Sequence, residues 1–324
     1  MNRREFLKDT ALTCGVLATS WIFSNEVKAS EESLPIVYHF KDCTVENLLK
    51  ALDKVKGNLK GKIAVKLHSG EPHGPNIIPP SWTKKLVATL PNSRAVECNV
   101  LYDSPRRETA SHRETLKING FDFPVDIMDE DKDTPLPVAH GFHLKEVYVG
   151  SHLLNYDSLL ILTHFKGHPS GGFGGSLKNI AIGCASGRMG KAQVHGVDKP
   201  GDREKPSSLW PKKEWFMEAM ADSGKAILDH FKGQYACINV LRRMSVDCDC
   251  VGVKAKEPTT PDLGILASTD ILAIDQASVD LVYALPEKDK KDLVERIESR
   301  RGLRQLSAME ELGLGSRKYK LVVV

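Results

Sequence analysis

Leu159-Leu160-Ile161-Leu162-Thr163-His164-Phe165-Lys166-Gly167-His168-Pro169-Ser170-Gly171-Gly172-Phe173-Gly174-Gly175-Ser176-Leu177-Lys178-Asn179 runs from a continuously apolar segment, through a glycine-rich loop, into the start of a helix. An apolar run without polar alternation is how a strand buried on both faces of a parallel or mixed sheet reads. Five glycines in the nine residues from Gly167 to Gly175 let backbone approach a neighbour closely and leave N–H groups free. A helix over Ser176–Ile182 adds the positive end of its dipole. Lys166 and Lys178 add cationic charge. These features describe an anion cradle, with Gly172, Gly174, Gly175, Lys178 and Asn179 as its binding residues. It is not a Walker A loop, because Phe173 stands where lysine is required, nor a dinucleotide fingerprint, because Leu177 stands where the third glycine belongs. His164 and His168 flank Lys166. The three are candidate catalytic residues, and the histidines can equally ligate metal, move protons or serve as plain loop hydrogen-bonders.

Outward from this stretch the pattern repeats. Apolar or β-branched runs lie at Ile36–His39, Lys62–Leu67, Arg94–Leu101, Glu146–Val149, Ser158–Thr163, Tyr235–Leu241, Leu263–Ala267 and Tyr319–Val323. Helical patterns lie between them at Val45–Val55, Ser81–Leu90, Arg106–Asn119, Lys213–Phe231, Ile271–Ala284 and Lys288–Arg301. The alternation predicts an α/β protein: a mixed or mostly parallel sheet flanked by helices, in one body or two lobes. Asp198–Pro211, rich in Pro, Lys and Asp, reads as an exposed loop, and a boundary between lobes would fall there.

The other polar clusters also follow strands, and in open α/β sheets ligands bind beyond the carboxyl ends of the strands. His68-Ser69-Gly70-Glu71-Pro72-His73-Gly74 offers two imidazoles and a carboxylate for metal or protons, or is a polar turn. Tyr102-Asp103-Ser104-Pro105-Arg106 starts a helix that continues to His112; Ser104 is its N-cap. Tyr102, Arg106 and His112 are candidate holders of an anionic ligand, against the plainer reading of a capped helix with a solvated arginine pair. Val246-Asp247-Cys248-Asp249-Cys250, with Cys237 and Cys184, offers four thiolates for a metal ion or iron–sulfur cluster, although no C-x-x-C spacing is present. Disulfides or small buried side chains are the competing readings. Asp275 lies one and a half turns into an apolar helix, where a carboxylate needs a partner or a site.

With 45 Lys+Arg against 42 Asp+Glu among 324 residues, the formal net charge is +3, and no basic block gives reason to expect nucleic-acid binding. Hydrophobic residues at 41% and charged residues at 27% exclude a disordered or fibrous chain. Asn2-Arg3-Arg4-Glu5-Phe6-Leu7-Lys8, the apolar stretch Ala11 to Phe23, and Val27-Lys28-Ala29 come in the order of a twin-arginine export signal. Residues 1–29 would be removed, leaving 30–324 as the mature module. A buried amphipathic helix, or a lipoprotein cut before Cys14, is the alternative. No later run reaches membrane-spanning length, so a mature protein without a membrane span, in the periplasm or otherwise exported, is expected. The twin-arginine export machinery is its first partner. Six cysteines would remain: Cys43, Cys98, Cys184, Cys237, Cys248 and Cys250.

Several of these segments together resemble the family catalogued as domain of unknown function 362. They are His164 to Asn179, Gly183-Cys184-Ala185-Ser186, Leu101-Tyr102 with Arg106 and His112, Asp247-Cys248-Asp249-Cys250, Pro261-Asp262-Leu263-Gly264, and Asp270 with Ala273-Ile274-Asp275-Gln276-Ala277. The resemblance runs from about Val37 to about Val282. Many members carry an inserted ferredoxin-like segment with two four-iron cluster motifs; between Val194-His195 and Phe231 this chain has no such cysteine run. The resemblance implies Cys184, Cys248 and Cys250 as thiolate ligands at matching motif positions, with Asp275 behind them. The expectation is an exported protein with a metal- or iron–sulfur-associated, redox-related activity. Its cofactor would be a metal ion or iron–sulfur cluster. Its small anionic ligand would bind in a crevice of His/Lys/Gly and Cys loops. The alternative is a periplasmic protein that captures such a ligand without transforming it.

Overall fold

The computed structural model describes residues 34–197 and 213–324. The export motif, its cleavage site, Cys14 and the loop at Asp198–Pro211 lie outside these residues. In chain order the elements are β1 (Ile36–Phe40), α1 (Val45–Val55), β2 (Ile63–Lys66), α2 (Pro80–Thr89), β3 (Ser93–Glu97), α3 (Thr109–Ile118), β4 (Val125–Ile127), β5 (Asp133–Pro137), β6 (Glu146–Gly150), β7 (Ser158–His164), β8 (Lys166–His168), β9 (Gly172–Gly174), α4 (Ser176–Gly183), α5 (Gly190–Val194), α6 (Lys213–Phe231), β10 (Tyr235–Leu241), β11 (Gly264–Ser268), α7 (Ile271–Tyr283), α8 (Glu287–Ser299), α9 (Arg304–Glu311) and β12 (Lys320–Val323).

Eight strands form one mixed, mostly parallel sheet in the order β12-β1-β11-β10-β7-β2-β3-β4. β10, β7, β2, β3 and β4 run parallel; β11 is antiparallel to both β10 and β1, and β12 is parallel to β1. β7 and β10, which lie on either side of residues 198–212 in sequence, stand side by side in this sheet, and Pro35–Val324 forms one compact unit. Helices cover both faces, which is why the central strands read as unbroken apolar runs. Along β7, Leu159 and Ile161 face one core with Leu177, Met220 and Ile274, while Leu160 and Leu162 face the other with Leu48 and Leu86. Each such fully buried leucine contributes roughly 1.5–3 kcal/mol.

The chain leaves β2 toward β3 and β4, then returns to the other side of β2 as β7. The order of strands reverses between β2 and β7, so the loops after them diverge and open a crevice.

Two local expectations change. The helix expected over Arg106–Asn119 is interrupted: Glu108 is extended (φ −115°, ψ 140°), separating a short turn at Pro105–Arg107 from α3, while Ser104 caps that turn by accepting from the Arg106 N–H at 3.0 Å. The glycine-rich segment is a hairpin rather than a loop, with Lys166 opposite Gly174 and His168 opposite Gly172.

Candidate functional site

The crevice at the carboxyl ends of β3, β2, β7 and β10 is a cavity of about 440 Å³. Four of the five clusters expected after strands meet there. The fifth does not, because β11 runs antiparallel and its carboxyl end lies at the opposite edge of the sheet.

One wall is a thiol and imidazole group. His68, Cys248 and Cys250 each place a ligand atom within 4.8 Å of the others. Cys248 Sγ lies 3.9 Å from His68 Nε2 and accepts from Lys178 Nζ at 3.7 Å. The Cys250 thiol hydrogen-bonds to Cys248 and, with Lys178, His168 and His68, holds the Cys248 thiol well below its ordinary range against the opposing effect of burial. The shared proton stays on Cys250, whose thiol is correspondingly pushed up. His168 shows its tautomer: Nδ1 accepts from the Gly171 N–H at 2.9 Å, so Nε2 carries the hydrogen in the neutral ring. Burial and the nearby Lys178 push that ring down to about 4. Burial and Lys166 likewise lower His68, leaving it neutral and able to ligate.

Behind this group stands a buried ionic frame. Asp249, between the two cysteines, accepts from His164 Nδ1 at 2.9 Å and pairs with Lys166 Nζ at 3.0 Å. Burial would raise its carboxyl, but His164 and Lys166 hold it far below the usual range. His164 Nε2 meets the Arg242 carbonyl at 2.7 Å, so both its nitrogens are taken. His164 and Lys166 therefore anchor the Cys-Asp-Cys segment, and His164 has no nitrogen left for a metal. Glu97 plays the same part on the β2 side: it pairs with Lys66 Nζ at 2.8 Å, accepts from the Ser69 N–H at 2.8 Å, and lies 3.8 Å from His68 Nδ1. Asn179 joins the two frames, accepting from Lys66 at 3.3 Å and donating to the Leu162 carbonyl and Thr163 Oγ1 at 3.0 Å.

Several expected site residues have other work. The start of α4 does hold an anion, and that anion is the protein's own Asp275, which accepts from the N–H groups of Ser176 at 2.7 Å and Leu177 at 3.0 Å and from Asn239 at 2.9 Å. Asp275 thus caps α4 from α7 and does not line the cavity. Gly175 is required there because a Cβ would run into the Asp275 carboxylate. Gly174 and Gly175 border the cavity, but Gly172 (φ +77°) packs its Cα on Gly302 instead. Tyr102 and Arg106 do border it, yet both are committed to Glu71: Arg106 donates at 2.8 and 3.0 Å, Tyr102 at 2.7 Å. His112 lies outside the lining, with Nδ1 at 3.2 Å from Asn99 Oδ1. Cys184 sits at the end of α4, buried, its thiol pushed up to about 12 by burial, and it is outside the thiol and imidazole group. His68 takes the third position instead. Spacing put His68 among the metal candidates, whereas Glu97, Lys66 and Asp249 carried only the signal of a charged residue in or beside an apolar strand or a cysteine pair.

A four-iron cluster does not fit, since it takes four cysteine ligands and only Cys248 and Cys250 converge among the described residues. A single thiophilic ion does. Tetrahedral zinc would place a histidine nitrogen and a thiolate sulfur about 3.6 Å apart, close to the 3.9 Å between His68 and Cys248.

Acid should loosen the fold. Burial depresses His112 to about 3, and burial with Lys178 and Lys191 nearby depresses His195 to about 4. In the unfolded chain both titrate near 6.5. Their contribution is complete above that pH and is lost as pH falls toward the folded values. Between pH 7 and pH 5 each removes about 2 kcal/mol. Asp275, raised by burial to about 6, works the other way and returns about 1 kcal/mol over the same interval. His168, pushed down to about 4 in the same way as His195, removes about 2 kcal/mol more, so urea unfolding at the two pH values should show a net loss of about 4 kcal/mol.

No curated protein matches the chain. Among solved structures, a lactate racemase apoprotein from Thermoanaerobacterium thermosaccharolyticum is similar at 11% identity and a TM-score of 0.42, over 76% of this chain and 57% of that one. A Thermotoga maritima protein solved as a structural genomics target is similar at 13% identity and a TM-score of 0.38, over 61% of this chain and 50% of that one. The chain therefore spans less than two thirds of the length of either. A family description does cover the cavity. The residues that line it, from Lys66 to Val251, fall within residues 63–280, the stretch matched by the model of the family described as a domain of unknown function, number 362, and the chain belongs to that family.

Proposed function

We propose that this is an exported protein, delivered by the twin-arginine machinery, that holds one soft metal ion on His68, Cys248 and Cys250 and acts on a small anion bound beside it. The observation that carries the metal assignment is the convergence, among the described residues, of three such donors on the wall of a cavity. Three protein ligands with an open fourth position is the arrangement of catalytic rather than structural metal sites. Thiolate donors select soft ions over magnesium or calcium. Bound there, such an ion supplies a Lewis-acidic or redox-active centre.

The chain's own residues have defined parts in this reading. Cys250 gives up its proton on ligation, as thiols must. Lys178, which pairs with Cys248 Sγ in the structure, is released from that thiolate and turns to the incoming anion. Lys66 and Lys166 stay with Glu97 and Asp249, keeping His68 and the cysteines in place. Capture of an anion without metal is the weaker reading, because these two lysines are already neutralised by carboxylates.

The test is a cobalt titration of the full chain purified without air, with elemental analysis of the protein as isolated. One equivalent should bind with thiolate-to-cobalt charge-transfer bands. Cys248→Ser and His68→Ala should each weaken binding by roughly 100-fold or more, and Cys184→Ser should bind as the wild type does. Loss of binding in Cys184→Ser, or affinity and charge-transfer intensity undiminished in Cys248→Ser, would overturn the assignment.

A further inference from the structure

The far wall of the cavity is made by α5 and the residue after it. Lys191 and His195 both line the cavity there. His195 Nδ1 lies 2.6 Å from the Lys191 carbonyl oxygen. A carbonyl can only accept, so Nδ1 carries the hydrogen and the neutral ring presents an unprotonated Nε2. The ring is set by this bond and by Phe216 of α6, whose centroid is 5.0 Å away at a tilt of 39°. No hydrogen-bond partner meets Nε2 among the described residues. Beside it, buried Lys191 donates to the Ala185 carbonyl at 2.7 Å, which engages one of its three N–H groups. Burial, with Lys178 and Lys191 nearby, keeps the imidazole neutral at physiological pH.

We infer that this wall is a recognition pole in which His195 Nε2 accepts a hydrogen bond from an O–H or N–H group of a small organic anion, with Lys191 Nζ beside it. The inference rests on the reading of the cavity as an anion site and adds the class of its ligand: an anion that also carries a donor. Of the cations lining the rest of the cavity, Lys66, Lys166 and Arg106 are paired with carboxylates, which leaves the remaining N–H donors of Lys178 for the anionic end of a ligand. A plain carboxylate or phosphonate satisfies those and leaves the Nε2 lone pair unmet. An anion with a hydroxyl or amine satisfies both ends. A site built to hydrogen-bond such a group discriminates strongly against the analogue lacking it.

His195 is a specificity-determining residue in this scheme, so its test reads selectivity. Matched anions that differ by one hydroxyl donor are titrated calorimetrically into the cobalt-loaded full chain: succinate against malate, acetate against glycolate, and ethylphosphonate against 2-hydroxyethylphosphonate. The wild type should prefer at least one donor-bearing member by about tenfold or more. His195→Phe keeps the contact with Phe216 and removes the acceptor; its preference should fall below about twofold. His195→Gln restores an acceptor oxygen and should recover part of it, and it also decides the matter if His195→Phe does not fold. The cobalt spectrum should be the same in all three proteins. A preference that survives His195→Phe, or a wild type that prefers no donor-bearing anion, overturns the inference. If cobalt gives no thiolate bands in the wild type, the metal reading has failed by itself, and the same titrations on the metal-free chain still decide for or against His195.

Discussion

Replacing Asp275 by alanine is expected to destabilise the protein by about 4 kcal/mol. The carboxylate is fully buried and its two oxygens serve three donors: the N–H groups of Ser176 and Leu177 and the Asn239 amide. Each donor left without a partner in the interior costs about 1–3 kcal/mol. Three such donors would cost about 3–9 kcal/mol, and a water in the vacated space would recover part of that, which sets the expectation toward the low end of the range. Native stabilities are about 5–15 kcal/mol, so the variant remains folded but loses much of its margin. Asp275→Asn keeps one acceptor oxygen and turns an N–H group toward the helix start, and about half the loss is expected. Urea midpoints at constant slope measure both. Gly175→Ala pushes against the same carboxylate, so the double variant should cost less than the sum of the singles. A loss below about 1 kcal/mol for Asp275→Ala would mean that α4 is held by its apolar packing and not by this cap. Lys178 and Asn179 ride on the first turn of α4, so the same variant should also weaken metal-linked anion binding.

The second large effect is expected at Glu71. Its Oε1 accepts from Arg106 and Tyr102, its Oε2 from Ser104 at 2.7 Å, and Arg106 is 2% exposed. Burial opposes the charge on Glu71, yet Arg106 with the Tyr102 and Ser104 hydroxyls holds its carboxyl below the ordinary value. Glu71→Ala leaves a guanidinium in the interior without its anion, at a cost of about 4 kcal/mol. Glu71→Gln retains an acceptor and should lose less. Arg106 also borders the cavity, so sulfate should stabilise Glu71→Ala more than it stabilises the wild type. If sulfate stabilises both equally, Arg106 is not reachable from the cavity.

The α/β architecture was legible because β7, β2 and β10 are covered on both faces and announce themselves as apolar runs. β4, β8 and α5 were not: each is three to five residues long and is held by neighbours rather than by a pattern of its own. Four of the five polar clusters expected beyond strand ends line one cavity, while several of their residues bond differently from the expectation. Glycines and lysines near a helix start look alike whether the anion is a ligand or a distant carboxylate such as Asp275. Cys184 and His68 differ only in where the chain carries them, and that depends on strand order, which no local spacing encodes. His195 follows a helix of five residues, and its tautomer depends on one bond to that helix.

The position of β1 has a consequence for how the chain is made. Its neighbours are β11 and β12, so Tyr38 stands opposite Ala267 on one side and Val322 on the other. The first strand among the described residues therefore waits for partners that are synthesised more than 200 residues later. Pairings of such long sequence separation form slowly, after their loop entropy has been overcome. Until then β1 is an unpaired edge, open to wrong association. Docking of β1 thus comes late, and a mutation that slows it should show first as aggregation of newly made chains rather than as reduced stability of the finished protein.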